Sequence, residues 1–166
     1  MNRHVVNALS ISRIVFGLLF LYFAVFEFSI AYLIIIFALA IASDILDGYW
    51  ARKYDLIVDN GSKIDVICDF LFIIFATLAV VLIDLAPVWF LLIIILKLIE
   101  FFATSGRGAL KYDRFGTFVA YMFYAFPIVA ILINSKNITL ILTIFITVCA
   151  VASSLLRIKN MRELND

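Results

Sequence analysis

Six apolar runs organise this chain, at about 14–28, 30–48, 65–84, 86–104, 116–133 and 138–156. Each approaches the ~20 residues that a helix needs to cross the hydrocarbon core of a bilayer. Hydrophobic residues make up 66% of the 166 positions, against roughly 45–50% in an ordinary soluble domain. Too little polar surface remains to face water, so lipid must be the solvent, and backbone polar groups must be satisfied within the helices. The expected fold is an all-α integral membrane protein: a bundle of about six transmembrane helices forming a single domain over residues 1–166. Met1 to Ser12 reads as an N-terminal amphipathic helix lying in the membrane interface, and no small-residue cleavage site interrupts the first run, which reads as a retained helix.

Breaks between the runs carry helix punctuation: Pro87 near a helix start, Ser105-Gly106 after a helix, and Asn134 to Asn137 between the last two runs. Counting connections alternately from the N-terminus, one side collects Arg3, Arg13, Arg52, Lys53, Lys63, Arg107, Lys111, Arg114, Arg157, Lys159 and Arg162. The other side has Lys136 alone, and Lys97 lies inside a span. That asymmetry predicts a multi-pass protein of the cell membrane with both termini cytoplasmic and an even number of crossings. Cys68 and Cys149 lie far apart in apolar stretches with no metal-ligand spacing, and read as inert buried thiols.

Chemistry concentrates at the cytoplasmic ends of the second and third runs. Asp44 and Asp47 are three residues apart, and Asp65 and Asp69 four apart, so each pair shares one face of its helix, one turn apart. A short connection makes the two helices antiparallel neighbours and can bring the pairs face to face. Unpaired carboxylates at a membrane boundary are unfavourable: an aspartate at the bilayer centre costs about 2.5–3.5 kcal/mol on insertion scales. Two divalent cations would cancel four such charges, and oxygen ligands suit Mg2+ or Mn2+. Metals so held can clamp both ends of an in-line displacement at phosphorus. The plainer alternative is that these acids face water or pair with Lys63 and Arg52.

Neighbouring residues favour a phosphate-bearing ligand. Gly48 follows a candidate ligand directly and leaves room for a phosphate or nucleotide against the backbone. Arg52, one turn on, can reach a pyrophosphate with its fork of donors; Gly61 opens the returning helix. Taken singly, Gly48 could serve close helix packing and Arg52 topology.

Together these residues resemble the CDP-alcohol phosphatidyltransferase family, whose signature is DxxDGxxAR, eight residues, then GxxxDxxxD. Asp44, Asp47, Gly48, Ala51, Arg52, Gly61, Asp65 and Asp69 match it in full, with Lys53 to Asn60 as the spacer. The resemblance implies that Asp44, Asp47 and Asp65 bind two metals, with Asp69 near a metal and acting as general base on the acceptor hydroxyl. It implies that Gly48, Ala51, Arg52 and Gly61 contact the CDP moiety, and that a CDP-linked lipid and a small polar alcohol are the substrates. It also implies a homodimer in the bilayer. Asn7 to Arg13 is similar to the NxLTxxR segment of the glycerol-phosphate-using branch, which would place Asn7 and Ser10 near the nucleotide; a polar cap on an interfacial helix is the other reading.

Lys63, Arg107, Lys111 and Arg114 form a basic group that could grip the phosphate of glycerol 3-phosphate or inositol phosphate, although topology alone would place bases there too. One departure bears on the acceptor. Glycerol-phosphate enzymes often read LDPxADK around the last two aspartates, whereas this chain reads Ile64-Asp65-Val66-Ile67-Cys68-Asp69-Phe70. Glycerol 3-phosphate remains the first expectation, with inositol phosphate or serine as alternatives, and the donor can be diacyl or ether-linked. Lys97 and Glu100 read as an intramembrane pair one turn apart, or as the lining of a lipid groove or dimer contact. A small cation transporter is the main non-enzyme rival, but it predicts acids spread through the membrane depth. With His4 the only histidine, a histidine-dependent phosphatase is disfavoured, and the aspartate spacing argues against a prenyltransferase.

Overall fold

Each apolar run forms one helix in the structure, a computed structural model that describes residues 3–53, 59–104 and 114–163. Side chains at 3–9, 47, 50–52, 59–64, 114 and 160–163 lie outside the described part. In chain order the helices are α1 (Arg3–Val25), α2 (Ile30–Lys53), α3 (Asp59–Leu82), α4 (Trp89–Thr104), α5 (Arg114–Ile133) and α6 (Lys136–Glu163). The described residues are otherwise turns. Among them, Asp65–Leu82, Phe115–Ile133 and Lys136–Lys159 are long and apolar enough to cross a membrane, while Ser10–Val25 and Ile30–Leu46 are shorter apolar helices. The protein is an all-helical membrane protein.

Arg3 to Ser12 and the first apolar run form one continuous helix, Arg3–Val25. No glycine or proline occurs between Arg3 and Phe16, so nothing breaks the hydrogen-bond ladder where the polarity changes.

Three of the turns are tight and share one device. Glu27, Asp84 and Asn134 have φ of 55°, 59° and 45°, the left-handed conformation that ends a helix by capping its free carbonyls. After α1, Phe28 N–H donates to Phe23 O at 3.0 Å and Glu27 N–H to Ala24 O at 3.3 Å. The accompanying apolar contact is present, with the Phe23 and Phe28 rings 4.6 Å apart. Asn134 N–H closes α5 onto Ala130 O at 3.0 Å. Hydroxyls inside the helices turn back to carbonyls of the previous turn, as Ser43 does to Ala40 at 2.7 Å and Thr147 to Thr143 at 2.7 Å. In lipid these side chains have no water to bond instead.

The helices divide into two compact units, Met1–Ile83 and Asp84–Asp166. In the first, α1 packs against both α2 and α3. Its buried stripe is Ser10, Arg13, Gly17, Phe20 and Ala24, alternately three and four residues apart, which keeps one face inward. Phe20, Phe37 and Phe72 interlock across the three helices, with centroids 6.3 and 5.7 Å apart. A side chain at Gly17 would start 3.2 Å from Phe72 Cα and 3.3 Å from Phe75 Cβ, so glycine there sets how closely α1 approaches α3. In the second unit α6 packs against α4 and α5, and Phe90, Phe123 and Phe126 form a fully buried aromatic cluster. Large apolar residues such as Ile141, Phe145 and Val148 on α6 are exposed, as suits a helix whose outer face meets lipid chains.

Candidate metal centre

Three helices of the first unit deliver polar residues to one point. From α1 come Ser10 and Arg13, one turn apart; from α2, Asp44; from α3, Asp65 and Asp69, one turn apart. Gly17 lies one turn beyond Arg13, and Phe72 one turn beyond Asp69. The close approach at Gly17 therefore brings the Arg13 side chain within reach of the α3 acids.

Arg13 is the centre of the group. Its side chain is 0% exposed, while those of Asp44, Asp65 and Asp69 are 47%, 37% and 28% exposed. Nη1 donates to Asp44 Oδ1 at 2.8 Å and also to Asp69 Oδ1, and Nη2 donates to Asp65 Oδ1. Ser10 Oγ donates to the same Asp65 oxygen at 3.3 Å. Among the described residues, one positive charge thus faces three negative ones, and the acids are partly exposed. Buried charge of this kind is held by mutual pairing, because desolvation of any lone member is unfavourable.

Do these residues fit a metal ion? One carboxylate oxygen each from Asp44, Asp65 and Asp69 lie within 4.8 Å of one another. An ion such as Mg2+ takes oxygen donors at about 2.0–2.1 Å in octahedral geometry, so its ligand oxygens stand roughly 3–4 Å apart. Small side-chain movements bridge that difference. The donor set is wholly carboxylate, which suits a hard divalent cation, and the guanidinium already marks the spot as one that attracts positive charge. The residues fit.

The other sequence-derived candidates divide into two groups. Gly48 lies on α2, one turn after Asp44 and partly exposed. Asp47, Ala51, Arg52, Gly61, Lys63, Asn7 and Arg114 lie on α1, α2, α3 and α5, but their side chains fall outside the described residues; Arg107 and Lys111 fall outside it altogether. The expected meeting of α2 and α3 acids is seen for Asp44, Asp65 and Asp69. Sequence reasoning does not find the part played by α1: from the sequence, Arg13 is a topology signal and the end of a motif, not the partner of the aspartates. A usable signal existed in the spacing of Ser10 and Arg13 on one face of an otherwise apolar helix.

Comparison with known proteins bears on the same residues. The family model for CDP-alcohol phosphatidyltransferase matches residues 3–154, which takes in all three helices of the acidic centre and most of the second unit. The chain belongs to the CDP-alcohol phosphatidyltransferase family. It is also similar to a CDP-diacylglycerol–glycerol-3-phosphate 3-phosphatidyltransferase of Bacillus subtilis (strain 168), at 38% identity over 73 residues. That match covers 44% of this chain and 37% of the relative's length. In this phosphatidyltransferase-family chain, the signature aspartates at 44, 65 and 69 are the same three whose oxygens converge.

In the second unit, the Lys97–Glu100 pair expected on α4 is present. Lys97 Nζ lies 3.0 Å from Glu100 Oε2, and Ser154 Oγ on α6 donates to that oxygen at 2.7 Å. Arg157, a turn further along α6, lies over the Phe101 ring at 5.9 Å. Cys68 and Cys149 are free thiols, the first buried and the second partly so.

Proposed function

We propose that this protein transfers a phosphatidyl group, or its ether-lipid equivalent, from a CDP-linked lipid to the hydroxyl of a small alcohol and releases CMP. The observation that carries this reading is the convergence of Asp44, Asp65 and Asp69 within 4.8 Å at positions of the family signature. Glycerol 3-phosphate is the preferred acceptor, supported by the name of the Bacillus relative and by the phosphate-seeking chemistry of Lys63, Arg107, Lys111 and Arg114. Inositol phosphate and serine are the competing acceptors.

Asp44, Asp47, Asp65 and Asp69 would hold two divalent cations, Mg2+ or Mn2+, which when bound supply charge neutralisation for the diphosphate and its leaving group. The protein's own residues do the rest. Arg52 holds the diphosphate, and Gly48, Ala51, Gly61, Asn7 and Ser10 form the cradle of the nucleotide. Asp69 takes the proton from the acceptor hydroxyl. The acceptor oxygen then bonds to the lipid-bearing phosphorus, the bond from that phosphorus to the bridging oxygen breaks, and CMP leaves with the electron pair. A single displacement of this kind inverts configuration at phosphorus.

The two units act as one domain over residues 1–166, as the family match across both supports. The centre faces the cytoplasm, with both termini on that side and multiple crossings, as the one-sided distribution of basic residues supports. The working form is a homodimer. The deciding experiment is CMP release by the purified protein with a CDP-lipid, Mg2+ and a panel of acceptors. Release that depends on glycerol 3-phosphate supports the full proposal, and release with another acceptor corrects its last clause. Ion flux in liposomes without CMP release from any acceptor overturns it, as does retention of configuration at phosphorus.

A further inference from the structure

We infer that Arg13 is a positioning residue for the metal ligands: its guanidinium stays behind the three carboxylates, fixes their orientation, and so raises their affinity for a small divalent cation. The inference rests on the metal-binding reading above. It gives a part in that site to α1, which supplies none of the three converging carboxylates.

A cation that helps to bind another cation needs a geometric reason, and the contacts supply one. Arg13 donates to one oxygen of each acid, Oδ1 of Asp44, Asp65 and Asp69. Ser10 donates to the Oδ1 of Asp65 as well. Among the described residues, no hydrogen bond reaches the Oδ2 atom of any of the three. An ionised carboxylate offers about four acceptor sites on its two oxygens, so each acid keeps most of its capacity to bind a metal. Exposure separates the two sides. Arg13 is 0% exposed, while the acids are 28–47% exposed, which puts the guanidinium on the buried side of the group. A side chain enclosed on that side and bonded to three acids remains there when the exposed side is occupied.

Two effects of Arg13 on a bound ion oppose each other. Its charge repels the ion, but three carboxylates outweigh one guanidinium among the described residues, so the group stays negative with Arg13 in place. Its fork of donors holds carboxylates that would otherwise repel one another and turn apart. Partners of this kind, which touch the ligands and not the metal, contribute about 10–100-fold to metal affinity. The base of the arm is fixed too, because α1 approaches Phe72 and Phe75 closely at Gly17, one turn from Arg13. Bracing also selects for size. Mg2+ demands near-ideal octahedral oxygens at about 2.0–2.1 Å, whereas Ca2+ accepts flexible geometry at about 2.3–2.6 Å. A braced set of carboxylates discriminates between the two, and a slack set does so less.

The test is metal binding by the full-length protein in detergent micelles, for wild type, Arg13→Gln and Arg13→Lys. Mn2+ is titrated by the loss of its free-ion magnetic resonance signal, and Mg2+ and Ca2+ are read by their displacement of Mn2+. Binding is expressed per folded molecule, with folding followed by circular dichroism on the same samples. Arg13→Gln is expected to weaken Mn2+ binding about 10–100-fold and to weaken Mg2+ more than Ca2+. Arg13→Lys replaces the fork by a single point charge, and is expected to recover part of the lost affinity and of the preference for Mg2+.

Tighter Mn2+ binding in Arg13→Gln would make Arg13 a mere repelling charge, and unchanged affinity per folded molecule would make it a mere packing residue. Either result overturns the inference while leaving the metal site intact, and so does an equal loss for Mg2+ and Ca2+. Where Arg13→Gln does not fold, Arg13→Lys carries the comparison, and wild-type or tighter affinity in that variant overturns the inference. Absence of Mn2+ binding in the wild type is a different result, which overturns the metal reading itself.

Discussion

Each unit of the molecule buries cations beside acid, but the balance differs. In the first, one arginine serves three aspartates that are 28–47% exposed. In the second, Lys97 accompanies Glu100, whose Oε2 is taken up by Lys97 and Ser154. Among the described residues, the first arrangement sets three partly exposed carboxylates against one guanidinium, the balance that a cation site requires. The second pairs its acid with one lysine and joins α4 to α6 through Ser154. Polar side chains inside an apolar bundle therefore do not mark function by their presence. The sign of the surplus charge and the access to it distinguish a binding site from a clasp.

Metal removal tests the contrast most severely. Dialysis against EDTA is expected to reduce CMP release to background and Mg2+ or Mn2+ to restore it, while the α4–α6 clasp, which needs no ion, holds the second unit folded as judged by circular dichroism. Next comes Asp69→Asn, expected to lower turnover by roughly 10²–10⁴-fold, the contribution of a positioned general base, with nucleotide binding largely kept. Turnover near the wild-type rate would remove Asp69 from that role.

The second unit should respond in stability instead of chemistry. Lys97→Leu leaves Glu100 without its cation and, because the two side chains are 13% and 20% exposed, is expected to cost less than the roughly 3–5 kcal/mol of a fully buried pair, whereas Lys97→Leu with Glu100→Leu should be close to neutral. Unfolding in detergent reads both, and a double variant as unstable as the single one would deny the pair its self-contained character. The smallest effect is expected at Gly17→Ala. Its methyl group meets the Phe72 backbone at 3.2 Å, and overpacking of this kind costs roughly 1–3 kcal/mol. Because Gly17 also sets the reach of Arg13, the same variant should alter Mn2+ affinity, which a purely structural glycine would not.

Much of this was legible before any coordinates. Apolar runs near twenty residues could only be helices in lipid, and the breaks at Pro87 and Asn134 fell where helices start and stop. Helical spacing placed Asp65 and Asp69 on one face, because one turn of a helix is local geometry. The continuity of α1 was less legible: polarity changes near Ser12, and a change of environment resembles a change of element even where the backbone ladder continues.

What the residues alone determined is the number and kind of helices, the acidic signature on α2 and α3, and the pairing of Lys97 with Glu100. Each of these is settled within a few turns of chain, where periodicity and composition act directly. Only the tertiary structure decided that α1 lies against both α2 and α3 and seats Arg13 among three aspartates that lie 31 to 56 residues away from Arg13 or its neighbour Ser10. That contact depends on two helices approaching at a glycine, and the distance between helices is a property of their packing, which no local pattern records.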